Sequence, residues 1–283
     1  MLKIGIVGTG YFGEIHIKVI QNLKNKFKIV GFFDINKEKS KKISEIYNIP
    51  FLTLDSLINK SDVINITSNT NTHFRLIKKV LKFKKHVFVE KPMCETLNEI
   101  NEIEKIKNNS QVQIGFIERF NPAFLSIKQL KIKPTEIKAV RRASLSVRNK
   151  DSCIIKDLMI HDIDIINSFI KSSLEKVRII KKRKNYIKCN LIFKNKIMVE
   201  LTSERTNAKN KKVVRKMNIK TDDNKEIEID FMRKKSSINY LNKKTHLTAT
   251  DNNQLEEEMK YFYNCIYSGE RNLISTKEAK NCS

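Results

Sequence analysis

The 283-residue chain has no tryptophan and only seven glycines and four prolines. It also has no uninterrupted apolar run of 18 residues, about the length that a membrane-spanning helix needs. A short apolar run at residues 4–7 breaks at once into glycines, without the longer apolar region of a secretory signal. We therefore expect a cytoplasmic protein that has no membrane partner.

The cysteines offer no framework for a metal or for disulfides. All five are scattered, with no Cys-x-x-Cys spacing and no histidine at ligand spacing from them. This pattern indicates neither a zinc site nor a disulfide-rich secreted domain. No metal site is expected, and the cysteines are interpreted as reduced, mostly structural residues.

The chain has fewer acidic than basic residues: 31 Asp and Glu against 56 Lys and Arg, which gives a formal net charge of +25. Such a charge often marks a nucleic-acid binder. Here arginine, which pairs bidentately with phosphate and guanine, supplies only 11 of the 56 basic residues, and lysine is spread along the chain. An A+T-rich coding bias explains this composition better, so we expect no dedicated nucleic-acid site. The positive field would still attract an anionic cofactor or a phosphorylated substrate.

Three of the scarce glycines lie close together near the N-terminus. They follow a strand-like run at residues 2–7 and precede a helical pattern, in the order strand, G-x-G-x-x-G, helix. The first glycine permits a tight turn, the second lets the backbone approach a pyrophosphate, and the third allows close helix-to-strand packing. The predicted cofactor-binding residues of this loop are Gly8, Thr9, Gly10, Tyr11, Phe12 and Gly13.

An acidic residue follows the second predicted strand. The strand-like run at residues 28–33 ends in Asp34, where this fingerprint places a carboxylate that binds the adenosine ribose 2′-hydroxyl. A carboxylate repels a 2′-phosphate, so NAD is favoured over NADP, although Lys37 and Lys39 soften the preference. The alternative is a glycine-rich turn followed by a chance aspartate.

Strand-like and helical segments continue to alternate up to residue 116, which predicts a doubly wound parallel sheet of the Rossmann type over residues 1–117. The strand at 63–67 is followed by Ser68, Asn69 and Thr70, which would line the cofactor crevice or form an ordinary turn. His73 lies near the same rim, either as a cofactor contact or as a surface histidine at the start of a helix.

Residues 86–89 form another strand-like run, which ends in Glu90, Lys91 and Pro92. Ligands bind outside the carboxyl ends of the strands in an open parallel sheet, so Lys91 would lie where chemistry can happen. A strand that ends in Glu-Lys-Pro is by itself more typical of a solvated loop. Lys91 becomes a candidate catalytic residue only if other functional residues are also predicted to lie near it.

The pattern changes in the second half of the chain. Strand candidates follow one another without intervening helices, which predicts an α+β domain with a mostly antiparallel open sheet over residues 118–283. Helices are expected at 156–170 and 254–267, and the polar residues 233–251 are expected to form an extended loop. Asp157 and His161 are four residues apart in the first of these helices, where a carboxylate can orient an imidazole. A surface pair is the alternative.

Several separated motifs occur together in this chain, in a fixed order and spacing. They are residues 8–13, Asp34, residues 90–92, Glu-Arg-Phe-Asn-Pro at 118–122 and Asp-Leu-Met-Ile-His-Asp-Ile-Asp at 157–164. In this combination the chain resembles the glucose-fructose oxidoreductase/inositol dehydrogenase (Gfo/Idh/MocA) family over nearly its whole length. The resemblance implies an NAD-binding Rossmann domain followed by a substrate-binding α+β domain.

The resemblance also implies roles for particular residues. It assigns Lys91, His161 and Asp157 to a catalytic centre where hydride passes from a secondary alcohol to NAD⁺. His161, with an ordinary pKa of about 6.5, would remove the hydroxyl proton, and Lys91 would stabilise the oxygen. These two roles could be exchanged, and Asp157 would hold its partners in place.

Further contacts follow from the same resemblance. Arg119 and Asn121 would bind substrate together with the three catalytic residues. Glu90 and Lys91 would contact the cofactor, and Glu90 would also shape the loop. The open sheet of the second domain would bind a sugar or nucleotide-sugar substrate and pair subunits into a homodimer or homotetramer.

Within the family, the motifs at 117–122 and 157–164 most resemble the branch that includes UDP-N-acetylglucosamine 3-dehydrogenases. The expected reaction is then oxidation of the 3-hydroxyl of a UDP-N-acetyl-amino sugar. The alternatives are a free sugar, inositol or another small alcohol as substrate, and a non-catalytic or truncated NAD-binding remnant.

Two features depart from the family pattern. Ser68 and Asn69 replace a Thr-Pro or similar pair, and residues 272–279 look like the entry to the family's last helix in a chain that ends at Ser283. A C-terminus shortened in this way would weaken the second domain by several kcal/mol through lost apolar burial.

Overall fold

The computed structural model describes residues 1–128, 130–145, 152–207, 212–247, 250–270 and 272–282. These residues form two compact units. One unit contains Met1–Phe116 with Leu255–Ser283, and the other contains Ile117–Gln254. Among the described residues, no helix combines the length and the apolar character needed to cross a membrane.

The first unit is built on a parallel sheet whose described strands have the order β2-β1-β3-β4-β5. The strands are β1 (Leu2–Val7), β2 (Phe27–Phe33), β3 (Val63–Ile66), β4 (His86–Glu90) and β5 (Val112–Gly115). The helices between them are α1 (Tyr11–Asn22), α2 (Lys37–Tyr47), α3 (Leu54–Lys60), α4 (Thr70–Lys82) and α5 (Leu97–Ile106). The strand order reverses between β1 and β3, so the ligand crevice of such a sheet lies at their carboxyl ends. The predicted doubly wound parallel sheet is confirmed.

Local sequence signals explain the boundaries of these elements. Strand β3 is buried along its whole length, as expected for a strand that is covered on both faces. Thr96 and Glu99 form the predicted capping box at the start of α5. The short helix α3 was not expected from the sequence, and it begins where the Thr53 hydroxyl accepts a hydrogen bond from the backbone of Ser56.

The second unit contains a mixed sheet whose described strands have the order β13-β12-β11-β10-β6-β9-β8-β7. All neighbouring pairs are antiparallel except β6 with β9, which confirms the predicted sheet type. The strands are β6 (Pro134–Ala143), β7 (Leu174–Arg183), β8 (Tyr186–Phe193), β9 (Met198–Arg205), β10 (Val214–Thr221), β11 (Glu226–Asp230), β12 (Lys235–Tyr240) and β13 (Lys243–Leu247). The helical segments are a 3₁₀ turn (Ile117–Phe120), α6 (Pro122–Lys128), a π-helical turn (Ile155–Met159) and α7 (Ile160–Phe169).

The core of this unit lies on one face of the sheet. Alternate residues of β8 are buried, and they join a cluster that includes Phe124 of α6 and Ile165 of α7. This period of two is the pattern of a sheet with one covered face. Every residue of β7 is exposed, so the sheet ends in an open edge strand.

The segment at 233–251 differs from the expected loop. Most of it forms the hairpin of β12 and β13, which pair in register from Ser236 with Leu247 to Tyr240 with Lys243. Leu241 and Asn242 make the tight turn with φ angles of 49° and 59°. The hairpin was not predicted because its strands are mostly polar and lack the apolar alternation of a half-buried strand.

The C-terminal helices also differ from the expected domain assignment. Helix α8 (Gln254–Tyr267) and helix α9 (Thr276–Asn281) were expected in a domain spanning 118–283, yet residues 255–283 group with the first unit. Phe262 makes an edge-to-face contact with Phe88 of β4, and the backbone nitrogen of Ile114 donates to the carbonyl oxygen of Ile274. The apolar face of α8 is therefore buried beside the parallel sheet. The C-terminal residues that were expected to stabilise the second domain pack in the first unit instead.

Candidate functional site

The loop between β1 and α1 has the geometry that its glycines permit. Gly8 has a φ angle of +92°, and a Cβ atom there would lie 2.7 Å from the backbone nitrogen of Ser68. A Cβ atom on Gly13 would lie 2.1 Å from the carbonyl oxygen of Gly8. At Gly10, by contrast, the described residues place no atom within 4 Å of the Cβ position apart from those of Gly10, its chain neighbours and the adjoining helix backbone. Open space therefore remains beside the start of α1.

This open space suits the diphosphate of a dinucleotide. Gly10 is the N-cap of α1, and the first backbone N–H groups of a helix have no acceptor within the helix. These groups and the helix dipole favour a bound anion. Tyr11 and Phe12 are 61% and 48% exposed, so both side chains lie at the surface beside the loop. The loop residues fit a dinucleotide cofactor.

Asp34 lies at the end of β2, where the glycine loop holds its carboxylate. Oδ2 accepts hydrogen bonds from the backbone nitrogen of Thr9 at 2.7 Å and from its hydroxyl at 3.0 Å, and Oδ1 accepts from the backbone nitrogen of Asn36 at 2.9 Å. Burial acts to raise the pKa of Asp34, but these hydrogen bonds and Lys39 outweigh burial, and the pKa lies below its ordinary value. Asp34 is therefore an oriented carboxylate at the carboxyl end of β2, and its contact with the adenosine ribose stays a prediction.

The loop after β3 lies at the same end of the sheet. The Thr67 hydroxyl donates to the carbonyl oxygen of Gly8 at 2.6 Å and ties this loop to the glycine loop. The hydroxyl oxygens of Ser68 and Thr72 are 2.7 Å apart, and Asn69 is the exposed N-cap of α4. Ser68, Asn69 and Thr70 thus lie at the carboxyl end of β3, where the sequence analysis expected them.

His73 is neither a surface histidine nor a residue of the crevice rim. Its ring is 1% exposed, with Nδ1 2.9 Å from the carbonyl oxygen of Pro92 and Nε2 2.9 Å from that of Ser68. Burial lowers the pKa of His73 below its ordinary value. The expected cofactor contact is corrected, because each ring nitrogen lies beside a backbone oxygen inside the unit and the neutral ring donates its one N–H to one of them.

Glu90 ends β4, and its carboxylate has hydrogen-bond partners within the unit. Its Oε1 lies 3.0 Å from Nε2 of the buried His16, and its Oε2 accepts a hydrogen bond from the backbone nitrogen of Lys91 at 3.3 Å. These contacts fit the loop-shaping role predicted for Glu90, and its cofactor contact stays a prediction. Lys91 itself is half-buried at the carboxyl end of β4, and its peptide bond to Pro92 is cis.

Two predicted substrate contacts in the second unit are held by other residues. The Nδ2 atom of Asn121 donates to Oε2 of Glu118 at 2.9 Å and to the carbonyl oxygen of Phe231 at 3.0 Å. Asn121 is 1% exposed, so the structure corrects its expected contact with substrate or cofactor to a structural role. Arg119 makes a bidentate pair with Asp164, at 2.8 Å from Nε and 2.7 Å from Nη2, so these guanidinium donors are already bound within the unit.

Asp157 and His161 lie on two different kinds of helix. Asp157 is in the π-helical turn and His161 is in the first turn of α7. The two residues were expected on one continuous α-helix, and the π-helical turn changes the angle between their side chains from the i, i+4 value of such a helix. Oδ2 of Asp157 accepts a hydrogen bond from Nη2 of Arg205 at 2.7 Å. His161 is half-buried.

Helix α7 is anchored to the sheet by a buried ion cluster. Arg141 of β6 binds Asp162 at 2.8 Å from Nη2 and Glu118 at 2.8 Å from Nη1, and all three residues are at most 3% exposed. Burial acts to raise the pKa of Glu118, but the Arg141 guanidinium outweighs it and holds the pKa below its ordinary value. The cluster fixes the residue next to His161, so it sets the position of the helix that carries His161.

His16, Arg141 and Arg205 were not predicted from the sequence. A signal existed for two of them. His16 is four residues before Ile20 on the buried face of α1, and Arg141 continues the period-two series of buried positions begun by Ile137 and Ala139. Both are polar residues at core positions, which occur when a specific partner is present.

Residues 2–116 match the model of a family described as an oxidoreductase family with an NAD-binding Rossmann fold, Gfo/Idh/MocA. The match lies within the first unit, so the resemblance and the prediction of an NAD-binding Rossmann fold are confirmed for that unit.

The individual relatives have less than 30% sequence identity to this chain. The chain is 27% identical to UDP-N-acetylglucosamine 3-dehydrogenase of Acidithiobacillus ferrooxidans over 168 residues, 58% of this chain and 53% of the relative. It is 26% identical to an inositol 2-dehydrogenase/D-chiro-inositol 3-dehydrogenase of Shouchella clausii over 197 residues, 65% of this chain and 57% of the relative. The chain thus spans little more than half the length of these curated relatives.

A solved structure of UDP-N-acetylglucosamine 3-dehydrogenase from Acidithiobacillus ferrooxidans has the same fold. It matches with a TM-score of 0.92 and 21% sequence identity, covering 99% of this chain and 94% of that chain.

Proposed function

We propose that this chain is an NAD-dependent dehydrogenase that oxidises a secondary alcohol of a sugar, specifically the 3-hydroxyl of a UDP-N-acetyl-amino sugar. One observation carries the proposal of a dehydrogenase. Strand β4 delivers Lys91 to the end of the parallel sheet that also bears the open glycine loop and the carboxylate of Asp34. A dehydrogenase of this kind needs a dinucleotide-binding loop and a group that stabilises the substrate oxygen. The first unit has both a glycine loop and the Lys91 amine at the same end of its sheet.

The relatives support the substrate class. A relative named UDP-N-acetylglucosamine 3-dehydrogenase favours a nucleotide sugar, and the net charge of +25 would favour a substrate that carries a diphosphate. A relative named inositol 2-dehydrogenase favours the second candidate, a free sugar, inositol or another small alcohol. Both candidates share oxidation of a secondary alcohol.

The proposed roles follow the family resemblance. Bound NAD⁺ supplies the hydride acceptor. His161 accepts the proton of the substrate hydroxyl, and the Lys91 amine donates a hydrogen bond to the same oxygen as negative charge develops on it. The exchanged assignment, with Lys91 as base, remains the alternative. Asp157 orients the groups near it, and Asp34 binds the adenosine ribose and favours NAD over NADP.

The test is turnover by the purified protein. We expect NADH to appear at 340 nm with UDP-N-acetylglucosamine and NAD⁺, and a panel of inositols and free sugars tests the second candidate. Lys91→Ala and His161→Ala should each lower kcat by at least about 100-fold, in line with the contribution of general acid–base groups. Lys82→Ala at the end of α4 and His246→Ala on β13 are the matched controls, since both residues are exposed.

Each outcome decides a different part of the proposal. Turnover of inositols alone would replace the nucleotide sugar as substrate. Unchanged turnover in both active-site variants would reject the proposed centre. NAD binding without turnover of any substrate would favour a non-catalytic NAD-binding protein.

We further propose that the protein acts in the cytoplasm and pairs through the sheet of its second unit. The edge strand β7 exposes Val177, Ile179 and Ile180, each more than half exposed. Light scattering after size exclusion should give a dimer or tetramer, and a monomer at micromolar concentration would exclude this pairing.

A further inference from the structure

The side chain of Glu90 is held by a histidine from α1. His16 is 1% exposed, and its Nε2 lies 3.0 Å from Oε1 of Glu90. On the other side of the ring, Nδ1 lies 3.0 Å from the Nδ2 atom of Asn65, a fully buried residue in the middle of β3. The Asn65 amide nitrogen is a donor only, so Nδ1 accepts and Nε2 carries the proton that it donates to Glu90.

The backbone of Pro92 is held by a second buried histidine, from α4. Nδ1 of His73 lies 2.9 Å from the carbonyl oxygen of Pro92, and Nε2 lies 2.9 Å from the carbonyl oxygen of Ser68. His73 thereby joins the loop after β4 to the loop after β3. These are two of the loops at the carboxyl end of the sheet.

The two histidines contact the residues on either side of Lys91, which are Glu90 and Pro92. His16 holds residue 90 by its side chain, His73 holds residue 92 by its carbonyl, and the backbone nitrogen of Lys91 donates to Oε2 of Glu90 at 3.3 Å. Gly115 of β5 leaves the room that this arrangement needs, because a Cβ atom there would lie 2.9 Å from Oε1 of Glu90. The position of residue 91 is therefore fixed from both sides.

We propose that His16 and His73 are positioning residues for Lys91. A lysine side chain has four rotatable bonds, so its amine reaches a defined point only if the backbone that carries it is fixed. Neither histidine contacts the reacting atoms in this proposal. The inference rests on the proposed function for the catalytic meaning of Lys91, but the placement of Lys91 is measurable without catalysis.

A purely structural role for the two histidines makes a different prediction. Each ring fills a buried position, so its loss lowers stability in either case. Only a positioning role changes the environment of the Lys91 amine while the remaining lysines keep theirs. The reactivity of individual lysines is therefore the property that separates the two roles.

The test measures the acylation rate of each lysine by mass spectrometry in the full-length protein. We expect His16→Ala and His73→Ala to change the labelling rate of Lys91 several-fold, with Lys82 as an internal reference that does not change. His86→Ala is the matched control, because His86 lies on the same strand as Glu90 but at its opposite end. His16→Gln and His73→Gln retain an amide donor and should restore most of the wild-type rate at Lys91.

Kinetics provide the second measurement. The alanine variants should lower kcat about 10- to 100-fold, the effect of misplacing a catalytic group by about an ångström, while KM for NAD stays near the wild-type value. If an alanine variant does not fold, as judged by circular dichroism, the leucine variant at the same position (His16→Leu or His73→Leu) carries the labelling test, because leucine fills the buried position without a hydrogen-bond donor.

An unchanged labelling rate of Lys91 in the folded alanine or leucine variants of both histidines would overturn the proposal. A wild-type protein without turnover would reject the proposed function alone, since the labelling rates would still decide whether His16 and His73 position Lys91.

Discussion

Nη2 of Arg205 donates a 2.7 Å hydrogen bond to Oδ2 of Asp157, and the Arg205 side chain is completely buried. The same guanidinium donates to the carbonyl oxygen and to the hydroxyl of Ser152. Strand β9 thus fixes the segment that leads into α7, the helix of His161. An arginine that is buried this deeply depends on its carboxylate partner.

The first prediction compares the two sides of this pair. Asp157→Ala should lower the free energy of unfolding by about 3 kcal/mol, because it leaves a buried guanidinium without its carboxylate. Arg205→Met should cost less, about 2 kcal/mol, because it removes charged hydrogen bonds but leaves no buried cation. Urea unfolding followed by circular dichroism measures both values. A smaller loss for Asp157→Ala than for Arg205→Met would contradict the dependence of Arg205 on Asp157.

The second prediction separates two glycines of the same loop. Gly10→Ala places a methyl group in open space, so the melting temperature should change little while NAD binding weakens at least about 10-fold. Gly13→Ala places a methyl group 2.1 Å from the carbonyl oxygen of Gly8 and should destabilise the protein by about 1–3 kcal/mol. Titration calorimetry and thermal unfolding measure the two effects. Unchanged NAD affinity in Gly10→Ala would place the diphosphate elsewhere.

The third prediction concerns pH and follows from the lowered pKa of Asp34. A carboxyl group whose pKa is lower in the folded than in the unfolded chain stabilises the fold above its unfolded pKa, about 3.9, and this contribution is lost as pH falls through the folded value. The difference in unfolding free energy between wild type and Asp34→Asn should therefore be constant near neutral pH and shrink below about pH 4. A difference that grows on acidification would reverse the sign and refute the prediction.

The fourth prediction concerns coenzyme choice. Replacing Asp34 with serine removes the carboxylate that would repel a 2′-phosphate, and the nearby Lys37 and Lys39 remain. We expect NAD to bind about 10-fold more weakly and the NAD-to-NADP affinity ratio to fall by more than that factor. Calorimetric titration of both coenzymes against wild type and Asp34→Ser provides the measurement. An unchanged ratio would remove Asp34 from the ribose site.

The first unit was predictable because its signals are local. A glycine motif between a strand and a helix, an acid after the next strand and a capping box at Thr96 each depend on a few neighbouring residues. Alternating elements then leave few topologies, because parallel strands need crossover helices. The placement of α8 was not local, since the contact of Phe262 with Phe88 joins residues that are far apart in the chain.

The candidate site was less predictable, because sequence alone does not show which polar groups are already bound. Asn121 and Arg119 lie in a segment that resembles a family motif, yet in the structure they bind Glu118 and Asp164. His73 has the pattern of a surface residue at a helix start, and its burial depends on the carbonyl oxygen of Pro92 from another loop. Residue type gives the chemistry of a group, and only the fold gives its partners.

The last prediction compares adjacent arginines on β6. Arg141 is buried and binds the carboxylates of Asp162 and Glu118, whereas Arg142 is one-quarter exposed and pairs with Glu204 at 2.7 Å. Arg141→Leu leaves buried Asp162 without its cation and leaves Glu118 with only the partly exposed Arg215 at 3.5 Å, so it should lower the free energy of unfolding by about 3–5 kcal/mol. Arg142→Leu should cost about 1 kcal/mol or less, because solvent compensates a partly exposed pair.

Urea unfolding of both variants tests this comparison, and the ratio of the two losses is the decisive quantity. Equal losses would mean that the cluster around Arg141 does not hold α7 to the sheet. If Arg141→Leu is selectively destabilised, Arg141→Leu with Asp162→Asn and Glu118→Gln should recover part of the loss, because the double replacement removes the unpaired charges. That recovery would show that buried charge, and not lost packing, is the source of the destabilisation.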